Sequence, residues 1–261
     1  MVREAQDREY VQSLERGLSV LLSFGPENSR MTLSEVAVCT GLTRATARRF
    51  LLTLERLGYV GSDARQFWLC PQVLELGFRY LSGLPWWKIA QSATEDASRE
   101  LQESCNASVL DGSEIVYVTR VMVNRIIAAN LSVGSRLPAY ATAMGRMLLA
   151  DLPDDRLAEL MTGDKLKKLT KFTVTDPKKL RRILEKVQAQ GYSIVDQELE
   201  KGLLAMAVPI VDRSGRTLAA LGTSVPTNRV NVAELLERHL PVLRKTAQRV
   251  SFSLGAEVSL A

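Results

Sequence analysis

The sequence of 261 residues contains a single histidine, and this scarcity excludes several classes of enzyme. His239 alone cannot supply a metal site with several histidine ligands, and it lies in LLERHLPVLR, which has the pattern of an amphipathic helix. We therefore expect a structural or surface histidine and exclude most Ser-His-Asp, Cys-His and H-E-x-x-H chemistry. Phosphate-binding loops of the forms G-x-G-x-x-G and G-x-x-x-x-G-K-[ST] are absent too. We predict no metal and no cofactor.

Cysteine is also scarce, and the three cysteines lie far apart. Cys39, Cys70 and Cys105 form no C-x-x-C pair, so neighbouring residues cannot build a zinc ribbon or a redox dithiol. We expect three small buried groups in a reducing cytoplasm. The first ten residues lack the apolar core of a signal peptide, and no run approaches the ~18 apolar residues of a membrane helix. The sequence therefore predicts a cytoplasmic protein that does not bind membranes.

Positive charge exceeds negative charge, and part of the excess is focused. The formal net charge is +5 at pH 7, which permits binding to a polyanion. Segment 43–58 contains four arginines but only one acidic residue, Glu55. A second segment, 162–190, has nine Lys/Arg against three acidic residues. We interpret that second segment as a solvated helix face and loop, because its charges lack regular interleaving with aromatic residues and no helix-turn-helix accompanies them.

The first three helices are predicted from apolar periodicity. Helix 10–24 stops at Gly25-Pro26 and has one apolar face. That face consists of Val11, Leu14, Leu18, Leu21 and Leu22. The second helix runs through Leu33, Val36 and Ala37, begins near Thr32 or Ser34, and ends at a turn formed by Thr40-Gly41. The third helix begins at about Thr43, whose hydroxyl suits an N-cap. Its predicted buried residues are Ala47, Phe50, Leu51, Leu54 and Leu57.

A hairpin follows these helices and completes a winged helix-turn-helix. The segment GYVGSDARQFWLC alternates about a polar tip at 62–66. A helix that enters the major groove must present short polar side chains and arginines from its first turns, and the third helix does so. The predicted DNA contacts are Thr43, Arg44, Ala45, Thr46, Arg48 and Arg49 on the helix, with Arg65 and Gln66 at the wing tip. The alternatives are that these arginines only confer solubility, or that the winged helix binds protein.

The rest of the chain changes to mixed helix and strand. A connecting helix ends near Gly83, and the following pair Trp86-Trp87 is expected to pack where two domains or protomers meet. Two strands flank the turn 111–113, and RIIAANL, 125–131, is a third candidate strand. Further helices and strands alternate to the end of the chain, where a helix over 232–254 carries His239. This pattern predicts an α+β domain with an antiparallel sheet.

Four ordered blocks of the sequence resemble the IclR family of bacterial transcriptional regulators. They are SLERGLSVL, LSEVAVCTGLTRATARRFLLTLERLGYV, VGSRLPAYATAMGRMLLA and GYSIVDQELEKGLLAMAVPIVDRSGRTLAAL. Within the family they are most similar to the branch that controls protocatechuate, 4-hydroxybenzoate and β-ketoadipate catabolism. The resemblance implies a winged helix-turn-helix DNA-binding domain with connecting helix over 1–82 and a GAF-like effector domain over 83–261. It also implies double-stranded operator DNA and a small organic acid as partners, and dimers that often pair into tetramers.

The resemblance also implies where the effector binds. The family pattern carries over to the residues Ala139, Tyr140, Ala141, Thr142, Ala143, Met144, Asp196, Glu198, Leu204, Ala205, Gly222 and Ser224. The residues independently suggest a helix that begins at about Ala141, whose free N–H groups suit a carboxylate, although it could be merely a capped helix start. Arg120 is either a counter-charge for an acid or part of an ordinary surface salt bridge.

The sequence departs from the family after Gly202. There Leu203-Leu204-Ala205 replaces an arginine that is often followed by cysteine, which leaves a more apolar wall suited to an aromatic or longer aliphatic acid. We therefore expect a non-enzymatic regulator of aromatic-acid catabolism that responds to protocatechuate, 4-hydroxybenzoate or β-ketoadipate. The alternatives are an enzyme that uses Asp196 and Glu198 as an acid/base pair, and a regulator of the same fold that senses an unrelated acid.

Overall fold

A computed structural model describes residues 9–123, 131–162 and 165–256. The chain divides into two units, Met1–Tyr80 and Leu81–Ala261. The boundary expected from the sequence, between residues 82 and 83, lies two residues further along. Within the described residues, no helix is long and apolar enough to cross a membrane.

The N-terminal unit contains the three predicted helices. They are α1 (Gln12–Leu22), α2 (Leu33–Thr40) and α3 (Arg44–Arg56). Thr32 begins α2 with a capping box, in which its hydroxyl accepts from the Glu35 N–H while the Glu35 carboxylate accepts from the Thr32 N–H. Gly41 ends α2 in the left-handed conformation, φ +67°, which glycine adopts without steric cost. Thr43 caps α3, so the predicted helix-turn-helix is confirmed.

A three-stranded antiparallel sheet forms the wing. Its strands are β1 (Met31–Thr32), β2 (Val60–Ser62) and β3 (Gln66–Leu69), in the order β1-β3-β2. The sequence predicted only the β2–β3 hairpin and put Gln66 at its tip. That position is wrong: Gln66 begins β3 and pairs with Thr32. The Asp63 side chain accepts the N–H groups of Arg65 and Gln66, so the turn closes before Gln66.

The core of the N-terminal unit differs from the predicted one in two places. Val20 and Phe24 are buried with Ala47, Leu51 and Leu54 of α3. On α1, however, most of the predicted apolar face is exposed: the exposed fractions are 59% for Val11, 63% for Leu14, 47% for Leu18 and 83% for Leu22. Helix α1 instead turns the side with Gly17 and Val20 inward, where Gly17 approaches Phe50. Leu57 is also exposed, because it follows the last turn of α3.

Helix and strand alternate through the rest of the chain largely as predicted. Helix α4 (Leu74–Ser82) is the connecting helix, and α5 (Trp87–Leu101) follows it. The other helices are α6 (Ala143–Leu149), α7 (Asp154–Leu160), α8 (Pro177–Gln190), the short α9 (Val232–Glu234) and α10 (Leu240–Ser253). The strands are β4 (Cys105–Asp111), β5 (Glu114–Val121), β6 (Arg136–Pro138), β7 (Ser193–Asp196), β8 (Leu203–Val211) and β9 (Thr217–Pro226). The predicted strand 125–131 lies almost entirely outside the described residues.

These six strands form one antiparallel sheet in the order β6-β5-β4-β9-β8-β7. One sheet face packs against α5 and α10, and the other packs against α6, which in turn contacts α8. Because side chains alternate along a strand, β4, β5, β7, β8 and β9 each contribute to both cores. The α+β fold class is therefore confirmed, and the face that packs against α6 carries the candidate site.

The structure tests the predictions made for the tryptophan pair and for His239 in the C-terminal unit. Trp86 is buried in the core between the sheet, α5 and α10, and the Trp87 indole N–H donates to the Val118 carbonyl at 2.9 Å. Trp86 therefore packs within the C-terminal unit, and the prediction that it packs at a domain or protomer junction is wrong. Trp87 is half-buried against the same core, and its packing at a junction stays a prediction. His239 is buried in a π-helical turn that leads into α10, and burial lowers its pKa. A structural histidine is confirmed.

The cysteines differ in exposure. Cys39 is exposed and Cys70 half-buried, so the prediction of three buried cysteines holds only for Cys105. Cys39 lies on the outer side of α2, whose buried residues are Val36 and Ala37. Burial raises the pKa of the Cys105 thiol to about 12, which keeps it protonated at neutral pH.

Candidate functional sites

Helix α3 presents a cationic surface on the side that faces away from its core. Thr43, Arg44, Ala45, Arg48 and Arg49 are exposed, and Thr46 is half-buried. The Thr43 hydroxyl accepts from the Thr46 N–H at 3.2 Å, which fixes the first turn. Within the described residues, none of these three arginines has a carboxylate oxygen within 4.0 Å. Their guanidinium groups are therefore available to an external anion.

The wing carries two cations near the candidate DNA-binding surface. The sequence predicted one of them but did not reveal the other. Arg65 is exposed between β2 and β3, where the sequence put it. Arg30 lies at the start of β1, bonds the Asp63 carboxylate at 3.3 Å and stacks on the Trp68 ring at 4.1 Å. Only the fold brings Arg30 to the wing, because it precedes Trp68 by almost forty residues and no local motif joins them.

The C-terminal unit contains a cavity of about 1090 Å³ between its sheet and the start of α6. Several predicted residues line it: Arg120, Ala141, Thr142, Ala143, Met144, Ala205, Gly222 and Ser224. Others that the sequence did not single out also line it, among them Asn106, Tyr117, Leu137, Val195, Leu199 and Arg229. This second group combines apolar side chains, such as those of Leu137, Val195 and Leu199, with polar and charged ones, which also include Glu103, Glu200 and Lys201. A ring could pack against the apolar side chains while polar groups orient it.

Five residues predicted to line the cavity do not do so. Ala139 and Tyr140 are buried beneath it, and the Tyr140 hydroxyl donates to the Lys167 carbonyl. Leu204 packs in the opposite core, against α5 and α10, because alternation along β8 turns Leu203 and Ala205, but not Leu204, to the cavity side. Asp196 pairs with Leu204 across β7 and β8 and is exposed on that same opposite side. Glu198 is the fifth.

Glu198 forms a buried ion pair with Arg146 instead of facing the cavity. Two Arg146 nitrogens donate to the two Glu198 carboxylate oxygens at 2.7 Å each, and Arg146 is only 2% exposed. The Val174 N–H donates to the same carboxylate at 2.8 Å, and Arg146 Nε donates to the Tyr140 carbonyl. The pair thus joins α6 to the residue that directly precedes the segment 199–202. Both α6 and this segment line the cavity.

The same geometry contradicts the alternative of an acid/base pair. Glu198 lies beyond the end of β7, so the i,i+2 alternation that would align it with Asp196 no longer applies. Asp196 is exposed, whereas Glu198 is neutralised by Arg146. In the part of the chain that the structure describes, no group of three or more His, Cys, Asp or Glu residues could hold a metal ion.

The helix that approaches the cavity begins two residues later than predicted. Residues Ala139–Ala141 form a 3-10 turn, and α6 starts at Ala143 after the N-cap Thr142. The Thr142 hydroxyl accepts from the Gly145 N–H at 3.1 Å, so that amide is already satisfied. A short capped helix of seven residues offers less to an anion than the free N-terminus that the sequence suggested.

Two glycines permit close packing around α6, Gly145 against the preceding turn and Gly222 between the sheet and the helix. A Cβ atom at Gly145 would collide with the Ala139 carbonyl oxygen. A Cβ atom at Gly222 would lie 2.6 Å from the Met206 carbonyl oxygen and 2.9 Å from Met144 Cγ. The absence of a side chain at Gly222 lets Met144 reach the sheet and form one wall of the cavity.

A β-bulge turns Arg120 toward the cavity. Along β5, Tyr117 pairs with Ser108 of β4 but Thr119 pairs with Ala107, so Val118 is the extra residue. Without this bulge, strict alternation would put Arg120 on the face opposite Tyr117. With it, both side chains line the cavity and the Arg120 guanidinium lies 5.6 Å from the Tyr117 ring.

Arg120 has no carboxylate partner among the residues that the structure describes. Its Nη1 atom lies 3.4 Å from Asn106 Oδ1, a weak hydrogen bond to a neutral group. Its Nε atom is buried and has no hydrogen-bond partner among the residues described. Within those residues it forms no ion pair either, whereas Arg229 at the same cavity pairs with Glu103. A buried donor without a partner is costly, and a carboxylate in the cavity would supply that partner.

Comparisons with known proteins extend over both units. The profile of the IclR helix-turn-helix domain matches residues 13–64, and that of the bacterial transcriptional regulator IclR C-terminal matches 78–252. The chain is 44% identical to the Pca regulon regulatory protein of Pseudomonas putida, over 91% of this chain and 82% of the relative. It is 36% identical to the p-hydroxybenzoate hydroxylase transcriptional activator of Acinetobacter baylyi, over 95% and 93% of the two chains. A crystal structure from Microbacterium hydrocarbonoxydans, an IclR homolog complexed with 4-hydroxybenzoate, matches with a TM-score of 0.83 at 25% identity, over 93% of this chain and 99% of that one.

Proposed function

This chain belongs to the IclR family of bacterial transcriptional regulators, and we propose that it controls genes of aromatic-acid catabolism in response to a small carboxylic acid. Two relatives carry names that refer to the pca regulon and to p-hydroxybenzoate hydroxylase, and a third was crystallised with 4-hydroxybenzoate. The activity is binding and not turnover. Asp196 and Glu198 form no acid/base pair, and the similar proteins are named as regulators.

Arg120 carries the effector proposal. It is a cation without a carboxylate partner in the described residues, and it lines a cavity whose other walls are largely apolar. A benzoate fits both properties: its carboxylate would accept hydrogen bonds from Arg120, and its ring would pack against Met144, Val195 and Leu199. 4-Hydroxybenzoate and protocatechuate are therefore the first candidates. β-Ketoadipate satisfies the same guanidinium without using the apolar walls to the same extent.

The DNA proposal rests on the exposed face of α3. Thr43 and Thr46 fix its first turn, and Arg44, Arg48 and Arg49 project from it without counter-charges in the described residues. The side chains with short reach, Ala45 among them, permit close approach to base edges, whereas the arginines reach phosphates or guanines. Arg65 at the wing tip would contact the neighbouring backbone. Gln66 lies beside it at the start of β3.

Replacing Arg48 and Arg49 by alanine is expected to weaken binding to duplex DNA of any sequence. If each arginine neutralises one phosphate, the slope of log K against log salt should decrease in magnitude by about 1.8. Fluorescence anisotropy of a labelled duplex over a series of NaCl concentrations measures this slope. The control is Lys88→Ala with Arg213→Ala, which removes the same charge from the C-terminal unit. A slope that both double variants leave unchanged would contradict DNA binding by α3.

Self-association is proposed through the exposed apolar row of α1. Val11, Leu14, Leu18 and Leu22 lie at three- and four-residue intervals on one side of the helix and are 47–83% exposed. A row of this kind on an exposed helix is typical of a protein interface, and a second copy would bury it symmetrically. We propose a homodimer, which could pair into a tetramer. Binding to chromosomal DNA also implies a cytoplasmic location.

Placing charge in this row is expected to produce monomers. Leu14→Glu with Leu18→Glu puts two carboxylates into the proposed interface. Burying an unpaired carboxylate costs free energy, whereas burying leucine stabilises the dimer. Sedimentation equilibrium at micromolar concentration measures the mass in solution. The control variant Gln12→Glu with Ser13→Glu adds the same charge to the same helix beside the row and should remain dimeric. A monomeric wild type would contradict the proposal.

A further inference from the structure

The outer surface of α8 carries a group of cations that no proposed function uses. The helix buries Leu180, Leu184 and Val187 against α6 and the sheet. Lys178, Arg182 and Lys186 lie on the opposite side, one helical turn apart, at intervals of about 6 Å along the axis. Lys179 lies beside this row. These four exposed residues are referred to below as the α8 flank.

Some cations of α8 form ion pairs and others do not. On one side Arg181 pairs with Asp154 at 2.5 Å and with Glu185 at 3.6 Å. On the α8 flank, none of the four cations forms an ion pair with any residue that the structure describes. Of the two acidic residues nearest to the flank in sequence, Glu185 pairs with Arg181, and Asp176 caps the helix by accepting the backbone N–H groups of Lys178 and Lys179.

A neighbouring helix contributes a further cation to one end of the α8 flank. Arg244 of α10 donates to the Gln190 carbonyl at 3.1 Å, so a further cation lies at the C-terminal end of α8. Within the flank, Arg182 has a like charge four residues away in each direction, an arrangement that is unfavourable without a counter-ion. An external anion with several charges at regular spacing would remove this repulsion.

We propose that the α8 flank binds the phosphate backbone of duplex DNA, as a second surface in addition to α3. The inference rests on the proposed DNA-binding function, which brings this chain to a polyanion. The composition of the flank favours phosphate over a protein or membrane partner. Three of its four residues are lysines, which are depleted at protein interfaces, whereas protein–DNA interfaces are strongly positive. No large exposed hydrophobic residue lies on α8, and a membrane-binding helix would need several.

The test compares salt dependence of DNA binding between full-length variants. Lys178→Gln, Arg182→Gln and Lys186→Gln are combined, and anisotropy is measured with a 40-base-pair duplex of random sequence over a range of NaCl concentrations. If each of the three cations contacts one phosphate, the slope of log K against log salt falls in magnitude by about 2.7. The matched control combines Lys88→Gln, Arg213→Gln and Lys245→Gln, which removes the same charge from other exposed positions of the same unit. Its slope should stay close to that of the wild type.

The outcomes separate this inference from the function on which it rests. An α8 variant with the slope of the wild type overturns the inference, and a flank that serves an acidic protein surface would give this result. A control that loses as much slope as the α8 variant also overturns it, because net charge would then explain the effect. If Arg48 and Arg49 variants lose slope while the α8 variant does not, α3 binding stands and only the α8 flank is excluded. If neither loses slope, the DNA-binding proposal itself fails. Thermal melting of the α8 variant at the wild-type temperature verifies its fold.

Discussion

Replacing Glu198 with glutamine is expected to lower the free energy of unfolding of the C-terminal unit by about 3–5 kcal/mol. The substitution keeps the size of the side chain but removes the only carboxylate that contacts the Arg146 guanidinium in the described residues, and Arg146 is 2% exposed. A charged guanidinium would then remain in a low-dielectric interior without a counter-charge. The Val174 N–H would also lose a charged acceptor.

Urea unfolding followed by tryptophan fluorescence measures this cost. Trp86 and Trp87 pack in the C-terminal unit, so a Trp68→Phe background removes the signal of the winged helix. The control is Glu159→Gln, which makes the same change in an exposed ion pair with Arg156 and should cost at most about 1 kcal/mol.

The double variant Arg146→Met with Glu198→Leu separates charge from packing. It removes both charges together, so it should cost less than Glu198→Gln alone, since apolar residues can replace a buried pair at little loss. If Glu198→Gln costs no more than the Glu159→Gln control, the pair does not fix α6 to the segment beside the cavity.

Replacing Arg120 with glutamine is expected to weaken the binding of 4-hydroxybenzoate by a factor of about 10 to 100. A hydrogen bond to a charged group contributes about 1.5–3 kcal/mol, and a factor of ten in affinity corresponds to about 1.4 kcal/mol. Glutamine can still donate to the carboxylate but supplies no charge. Since the Arg120 Nε has no hydrogen-bond partner in the described residues, the change removes only the weak hydrogen bond to Asn106 and the contact with the Tyr117 ring.

Isothermal titration calorimetry with two ligands separates the contribution of the carboxylate charge to affinity from that of the ring. 4-Hydroxybenzamide has the same ring but no carboxylate, so wild type should prefer the acid while the Arg120→Gln variant binds both equally. The control is Arg136→Gln, an arginine that pairs on the surface with Asp111 and Glu114 and should leave the preference unchanged. A variant that keeps the full preference for the acid would exclude Arg120 as the partner of the carboxylate.

The features that could be predicted from the sequence are those set by local chemistry. Thr32 and Thr43 cap helices because their hydroxyls reach the next amides, and Gly41 ends one because it tolerates positive φ. These three residues fix the ends of the two helices and the turn between them through contacts within a few residues along the chain. Alternation and turn residues likewise predict most strands of the C-terminal unit, but not the three-residue strand β6.

The cavity depends on features that no local pattern contains. Arg120 reaches it because a bulge at Val118 shifts the register of β5 by one residue, and this shift also puts Asn106 opposite Arg120. An unbroken hairpin with the pairing Asp111–Glu114 would have put Cys105 there instead. Bulges of this kind follow from packing on the whole sheet, so the sequence left Arg120 equally suited to a surface salt bridge.

The predictions for Glu198 and for the apolar row of α1 also differ from the structure because of tertiary packing. A glutamate such as Glu198 can bind an effector or act as an acid or base. Its position beyond β7, however, directs it to Arg146, 52 residues away. The apolar periodicity of α1 correctly predicts a helix. It cannot indicate whether an apolar row faces the core of its own domain or a second copy, because the row has the same composition in either case.

A crystal structure of the full chain with 4-hydroxybenzoate tests the central claim most directly. We predict one molecule in the cavity of each chain, with its carboxylate about 2.7–3.2 Å from the Arg120 guanidinium and its ring against Met144 and Val195. A carboxylate directed at the start of α6, with Arg120 free of contact, or a molecule outside the cavity would contradict the account.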